Sequence, residues 1–242
     1  MAHGTPDWGL VGPRRTTYGL DDMGELAVRL GSHHLWDRRG DVIYQTAFHD
    51  GMEAAHTFPG PPGITVGLST GYSSCGAYSV QTASDGVSAG SSGVQVYLPL
   101  PVYSRVGLEY VFTFREVNDN YEHDIYWQNA LTLYHAQVRF NPALAALECW
   151  VEPGVWVVFA NNVFLDQGDN RHNVIKTVVD MDAVRYVRCI ANDVTHDLSA
   201  YTPQLAGGGG LTYLRVRMLV ERIIGSMLPS YIDSIIVTQN EP

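Results

Sequence analysis

From Asp41 onward, short runs rich in Val, Ile, Leu, Tyr and Phe alternate with turn residues. Within several runs the apolar positions recur at every second residue. Leu131, Leu133, His135, Gln137 and Arg139 fall on one face of an extended segment, and Thr132, Tyr134, Ala136, Val138 and Phe140 on the other. This period predicts strands that bury one face. Strands are expected at 42–48, 64–68, 77–80, 94–98, 108–115, 131–140, 150–152, 155–160, 174–179, 185–191, 211–221 and 231–238. Some twelve strands with turns between them predict an all-β fold, an antiparallel β-sandwich of jelly-roll type. Ser69-Thr70-Gly71, Ser84-Asp85-Gly86, Asp119-Asn120 and Gln167-Gly168-Asp169-Asn170 supply the turn chemistry. The glycine run Gly207 to Gly210 reads as a loop. The two runs after it are too short to form a core and must complete a sheet begun earlier.

The first forty residues follow another pattern. Gly and Pro alternate with isolated apolar groups from Thr5 to Arg15, which predicts an extended arm. Asp22-Met23-Gly24-Glu25 has capping-box spacing, Met23, Leu26, Ala27 and Leu30 follow at helical intervals, and Gly31 is placed to stop the turn. A helix this short needs an apolar surface to dock on. The expected division is therefore an arm with one short helix over 1–40 and a β-jelly-roll domain over 41–242. Trp8, Leu10, Val11, Arg14, Arg15, Met23, Leu26 and Leu30 are the candidate docking residues.

Composition narrows the function classes. The 242 residues are 45% hydrophobic and 17% charged, which excludes disorder over most of the chain. No apolar run approaches the ~20 residues that span a bilayer, and Met1-Ala2-His3-Gly4 lacks the features of a signal peptide. A chain made in the cytoplasm, with no membrane partner, is expected. The formal charge is −10, and residues 40–242 carry all of the acidic excess, so a nucleic-acid partner is not expected. Cys75, Cys149 and Cys189 are odd in number and widely spaced, which argues against a zinc site or disulfide framework.

Catalytic chemistry is sparse. P-loop, GxGxxG and HExxH motifs are missing from the sequence. Glu148/Glu152 and Asp180/Asp182 have the strand spacing of paired carboxylates, but the first pair runs into Pro153-Gly154, and both read as solvated strand ends. A non-enzymatic protein without a cofactor is the expectation. Adjacent His33 and His34 point to opposite sides of an extended chain and do not suggest a shared metal. The segment from Tyr121 to Asn129 mixes Tyr, Trp, Asn and acids, as sugar grooves and oligomer interfaces both do. If it binds a glycan, Tyr126, Trp127 and Asn129 are the candidates for contact. Trp150 and Trp156 lie in apolar context and are assigned to the core.

Asn173 to Asp180 followed by Arg185 to Asp193, the segment Ser74-Cys75-Gly76-Ala77-Tyr78-Ser79-Val80, and the closing Tyr231 to Val237 resemble strands of the concanavalin/laminin-G-like and carbohydrate-binding jelly rolls. That resemblance implies the same sandwich over about residues 41–242. It also implies a possible structural calcium between an early acidic residue and an Asp on the last strand, here Asp50 and Asp233, although Phe48-His49-Asp50-Gly51 has His where the family tends to have Glu. The opening Met1 to Gly9, the Gly/Pro arm and the terminal Val-Thr-Gln-Asn-Glu-Pro also resemble virion proteins of tailed bacteriophages. This implies a virion location and a structural subunit, a capsid decoration or tail-associated protein, that assembles through its arm with copies of itself or other virion proteins. The alternative is a carbohydrate-binding or adhesin module whose partner is a surface glycan.

Overall fold

The computed structural model describes residues 39–242 apart from 53, 74–76, 100–102, 130–131, 169–170 and 209–212. The arm, the expected short helix with all eight candidate docking residues, and Cys75 lie outside the described residues. Sixteen strands are described: β1 (Asp41–Thr46), β2 (Ala55–Phe58), β3 (Ile64–Ser69), β4 (Ser79–Ser84), β5 (Gly90–Pro99), β6 (Arg105–Thr113), β7 (Asn120–Asn129), β8 (Thr132–Asn141), β9 (Ala146–Glu152), β10 (Val155–Asn161), β11 (Asn173–Asp180), β12 (Arg185–Ala191), β13 (Val194–Asp197), β14 (Gln204–Gly208), β15 (Tyr213–Arg222) and β16 (Ser230–Gln239). No helix occurs among the described residues, and none is long and apolar enough to cross a membrane.

The strands form two eight-stranded antiparallel sheets, and the protein is a β-sandwich of jelly-roll type. One sheet runs β13-β12-β11-β6-β16-β4-β3 with β1 beside β16; the other runs β10-β9-β8-β7-β15-β5-β2 with β14 beside β8. The last two strands sit inside the sheets: β15 between β7 and β5, β16 between β6 and β4. The run after the glycines therefore completes both sheets, which is what its short length required.

The core lies between the sheets. Inward side chains of β6, β7 and β8, joined by Phe114 just after β6, build an aromatic stack in which Phe112 meets Tyr121 at 5.2 Å and Phe114 meets Phe140 at 5.6 Å. Such pairs each contribute about 0.5–1.5 kcal/mol beyond the area they bury. Cys149 and Cys189 are buried free thiols raised to about 12 by burial, so they pack as small hydrophobes. Two polar clusters sit within this apolar frame. Arg222, fully buried, donates to Asp119 at 2.6 Å and to the carbonyls of Leu228 and Thr82. On the outer side of the first sheet, Glu241 accepts from Lys176 at 2.6 Å and Arg188 at 2.5 Å. Gly107 makes room for that carboxylate, since a Cβ there would stand 2.9 Å from Glu241 Oε1 and 2.5 Å from Thr238 Oγ1.

Candidate functional site: a groove on the outer face of the second sheet

Strand alternation decides what each face of the second sheet presents. Along β7, Tyr121, His123, Ile125 and Trp127 point into the sandwich, and Glu122, Asp124, Tyr126 and Gln128 point out. The register carries that parity across the sheet. Tyr126 pairs with Arg215 of β15 and His135 of β8; Asp124 pairs with Arg217 and Gln137; Glu122 pairs with Leu219 and Arg139. Arg139 pairs in turn with Glu148 of β9, and Trp150 of β9 with Trp156 of β10. The outer face is thus a lattice of charges, amides and rings laid over an apolar core.

Rings and cations cross this face in a continuous row. Tyr126 stacks on His135 with centroids 3.9 Å apart, His135 meets the edge of Trp150 at 5.0 Å, and Trp150 stacks on Trp156 at 5.7 Å. Arg139 lies 4.0 Å over the Trp156 ring, and Arg215 lies 3.9 Å over Tyr126. Arg217 donates to Asp124 through Nε at 2.8 Å and to the Tyr126 hydroxyl at 2.5 Å. Arg139 Nε donates to Glu148 at 2.6 Å, and its second arm stands 3.6 Å from Glu221. Gln137 Nε2 donates to Glu122 at 3.0 Å, and Asn120 Nδ2 to Glu221 at 2.7 Å.

A pocket of about 330 Å³ opens between these groups, at the lower end of the ~300–1,000 Å³ range of small-molecule sites. Trp150 and Trp156 line one side and Phe58 another; Glu122, Gln137, Arg217 and Leu219 also line it, with Ser91 and Glu221. Glu122 and Gln137 are each 5% exposed although they belong to an outer face. Gln137 Oε1 and Trp150 Nε1 are buried polar atoms with no hydrogen-bond partner in the structure. An acceptor and a donor left open in an aromatic-walled recess are what a hydroxyl-rich ligand would satisfy.

The carboxylates differ in character. Burial drives the Glu122 carboxyl well above the usual range, with the charges of Asp124 and Glu221 pushing the same way. For Asp124 burial also pushes upward, but His135 and Arg217 outweigh it and hold the group below its ordinary value. Burial and the Asp124 charge raise the Tyr126 hydroxyl to about 12. A carboxyl group pushed upward by burial and an ion-paired carboxylate held below its ordinary value therefore stand two residues apart on one strand.

The structure sorts the sequence candidates as follows. Tyr126 lies on the groove face, beside the pocket. Trp127 does not: it is fully buried, stacks on Tyr134 at 5.5 Å, and is a core residue, because the alternation of β7 sends it inward. Asn129 ends β7, but its side chain is outside the described set. Trp150 and Trp156, assigned to the core from their apolar neighbours, are half-buried on the groove face. Of the carboxylate pairs, Glu148 is tied to Arg139 on the groove face, and Asp180 pairs with Arg105 at 3.3 Å on the other sheet. Asp233 is buried at a bulge of β16, its charge acting on His172, and Asp50 is exposed in the turn after β1. Among the described residues, no three His, Cys, Asp or Glu side chains come together as a metal-holding group.

No family model and no curated protein matches the chain. Solved structures do. A conserved carbohydrate esterase from Shiga toxin-encoding bacteriophage phi24B is 13% identical, with a TM-score of 0.50 over 83% of this chain and 99% of that one. A Bacillus subtilis protein of unknown function with a galectin-like fold is 11% identical, with a TM-score of 0.52 over 83% of this chain and 97% of that one. A sialidase is 7% identical, with a TM-score of 0.52 over 83% of this chain and 19% of that one. The sandwich shares its jelly-roll fold with these proteins. At these identities the likeness establishes the fold alone.

Proposed function

We propose that the protein is a carbohydrate-binding module whose ligand lies in the groove of the second sheet. The observation that carries this reading is the pocket itself, where the stacked Trp150 and Trp156 stand against Phe58 above the open Gln137 Oε1. Aromatic faces suit the apolar face of a pyranose ring, and a few fixed polar groups set its orientation. The likeness to a phage carbohydrate esterase supports the same class of ligand. Binding rather than cleavage is favoured by how the carboxylates are engaged: Asp124 by Arg217, Glu148 by Arg139, Glu122 by Gln137. The test is a glycan array followed by calorimetry on each hit, with an assay for new reducing ends on the same mixtures. The reading requires at least one hit that Trp150→Ala weakens, and no release of reducing ends.

A virion setting is the second reading, supported by the bacteriophage origin of one structural relative. In it, residues 1–40 attach the module to the particle. Light scattering on the full chain beside a 40–242 truncation tests this: attachment through the arm predicts an assembly, or binding to particles, that the truncation abolishes.

A further inference from the structure

The groove has an unbalanced charge where it meets its ligand. Two guanidinium groups, Arg217 and Arg139, reach the pocket region, and both are engaged by carboxylates. Arg217 is held by the buried Asp124, and Arg139 bridges Glu148 and Glu221. Against these two cations stand Asp124, Glu148 and Glu221, and Glu122 adds a fourth carboxyl group with or without its proton. Glu221 is the exposed member, its side chain 38% accessible, and it lines the pocket directly. The third cation of this face, Arg215, stacks on Tyr126 one ladder step from Arg217 and is not part of the pocket lining. Among the described residues, His56, His135, Glu152, Tyr97, Tyr126 and Tyr213 are the other titratable groups on the face: His135 is buried on Tyr126, His56 and Tyr213 lie near Tyr97, and Glu152 ends β9.

From this arrangement we infer that the sugar unit seated between Phe58 and Trp150 is uncharged, and that glycans carrying a carboxylate at that unit are rejected. The inference rests on the glycan-binding reading above and narrows it to neutral polysaccharides. A uronate or sialate carboxylate entering the pocket would lose water and find no unpaired guanidinium there. It would also face the like charge of Glu221, a repulsion that is strongest at low salt. A neutral sugar meets no such penalty. Its hydroxyls can donate to Gln137 Oε1 and Glu221 and accept from Trp150 Nε1.

Matched oligomers that differ only at C6 separate the possibilities: cellohexaose against its C6-oxidised form, and β-1,4-mannohexaose against β-1,4-mannuronate hexamer, each titrated into the full chain by calorimetry. The neutral member of the pair that binds should be at least tenfold tighter than its acidic counterpart at 20 mM NaCl. The gap should narrow at least threefold in Glu221→Gln, and also in the wild type at 500 mM NaCl, which needs no variant to fold. Acidic members binding as tightly as the neutral ones would overturn the inference and leave the glycan reading standing. A gap that neither Glu221→Gln nor salt changes would show that shape, not charge, excludes the acids, and would overturn it too. If neither pair binds and the array is blank, the glycan reading and the inference fail together.

Discussion

Tryptophans 127 and 150 lie on opposite faces of one sheet, and replacing each by alanine tests that assignment. Trp127 is fully buried between the sheets. An aromatic side chain of this size buries about 150–250 Å², which at about 25 cal/mol per Å² represents roughly 4–6 kcal/mol of transfer free energy. Its indole Nε1 has no partner, so deletion breaks no hydrogen bond. Alanine keeps one carbon, and the cavity relaxes in part, which gives an expected loss of about 3–5 kcal/mol for Trp127→Ala. Trp150 is half-buried on the groove face and leaves no closed cavity when truncated. Trp150→Ala should cost under about 1.5 kcal/mol. Urea unfolding followed by circular dichroism at 218 nm measures both without relying on the fluorescence of a chain with five tryptophans. The milder Trp127→Phe should retain glycan binding, whereas Trp150→Ala should lose it. Equal stability losses for the two alanine variants, or a loss below about 1 kcal/mol for Trp127→Ala, would refute the assignment of faces.

Three further outcomes follow from buried polar groups. Burial lowers His123 to about 3 against an ordinary value near 6.5. Its contribution is fully present above pH 6.5 and is lost as pH falls from 6.5 toward 3, a swing of about 4–5 kcal/mol. Glu122, raised by burial, has the opposite sign: its contribution is present below the ordinary carboxylate range and is lost as pH rises through its folded value. Comparing wild type with His123→Gln between pH 7 and pH 4 isolates the histidine, and a stability difference that does not shrink with acid would contradict its neutral burial. Arg222→Met should cost about 3–5 kcal/mol by stranding Asp119, and Asp119→Leu/Arg222→Met should be less destabilised than the single variant, as read by denaturant titration. Gly107→Ala should cost about 1–3 kcal/mol by pushing Thr238 and Glu241 from their places, and a neutral result would mean that the pocket around Glu241 can widen freely.

The β class, the antiparallel sandwich and most strand positions were legible in the sequence because inward faces are continuous in Val, Ile, Leu and aromatic residues. Four strands escaped: β2, β13 and β14 are four or five residues long, polar or glycine-rich, and lie on the margins of their sheets, while the ten-residue β7 carries acids and amides on its outer face that obscure its apolar inner one. The site was half legible. Segment 121–129 stands out in the sequence for its mixed acids and rings, but composition alone does not say which face is wet, and so Trp127 stands beside Tyr126 as a candidate. Trp150 and Trp156 were misassigned because Cys149, Val151, Val155 and Val157 surround them with apolar neighbours. Parity held the missing signal: Glu148, Trp150 and Glu152 share one face of β9, while Leu147, Cys149 and Val151 share the other. The pairing of Arg139 with Glu148 lay beyond the sequence, since it depends on the register between β8 and β9.

The most direct test of the central claim is the affinity of the full chain and of Trp150→Ala/Trp156→Ala for the glycan that the array selects, each checked for an unchanged fold by circular dichroism. The groove account predicts at least a tenfold loss in the double variant. Undiminished binding in that variant, or no glycan bound by the wild type, would contradict it.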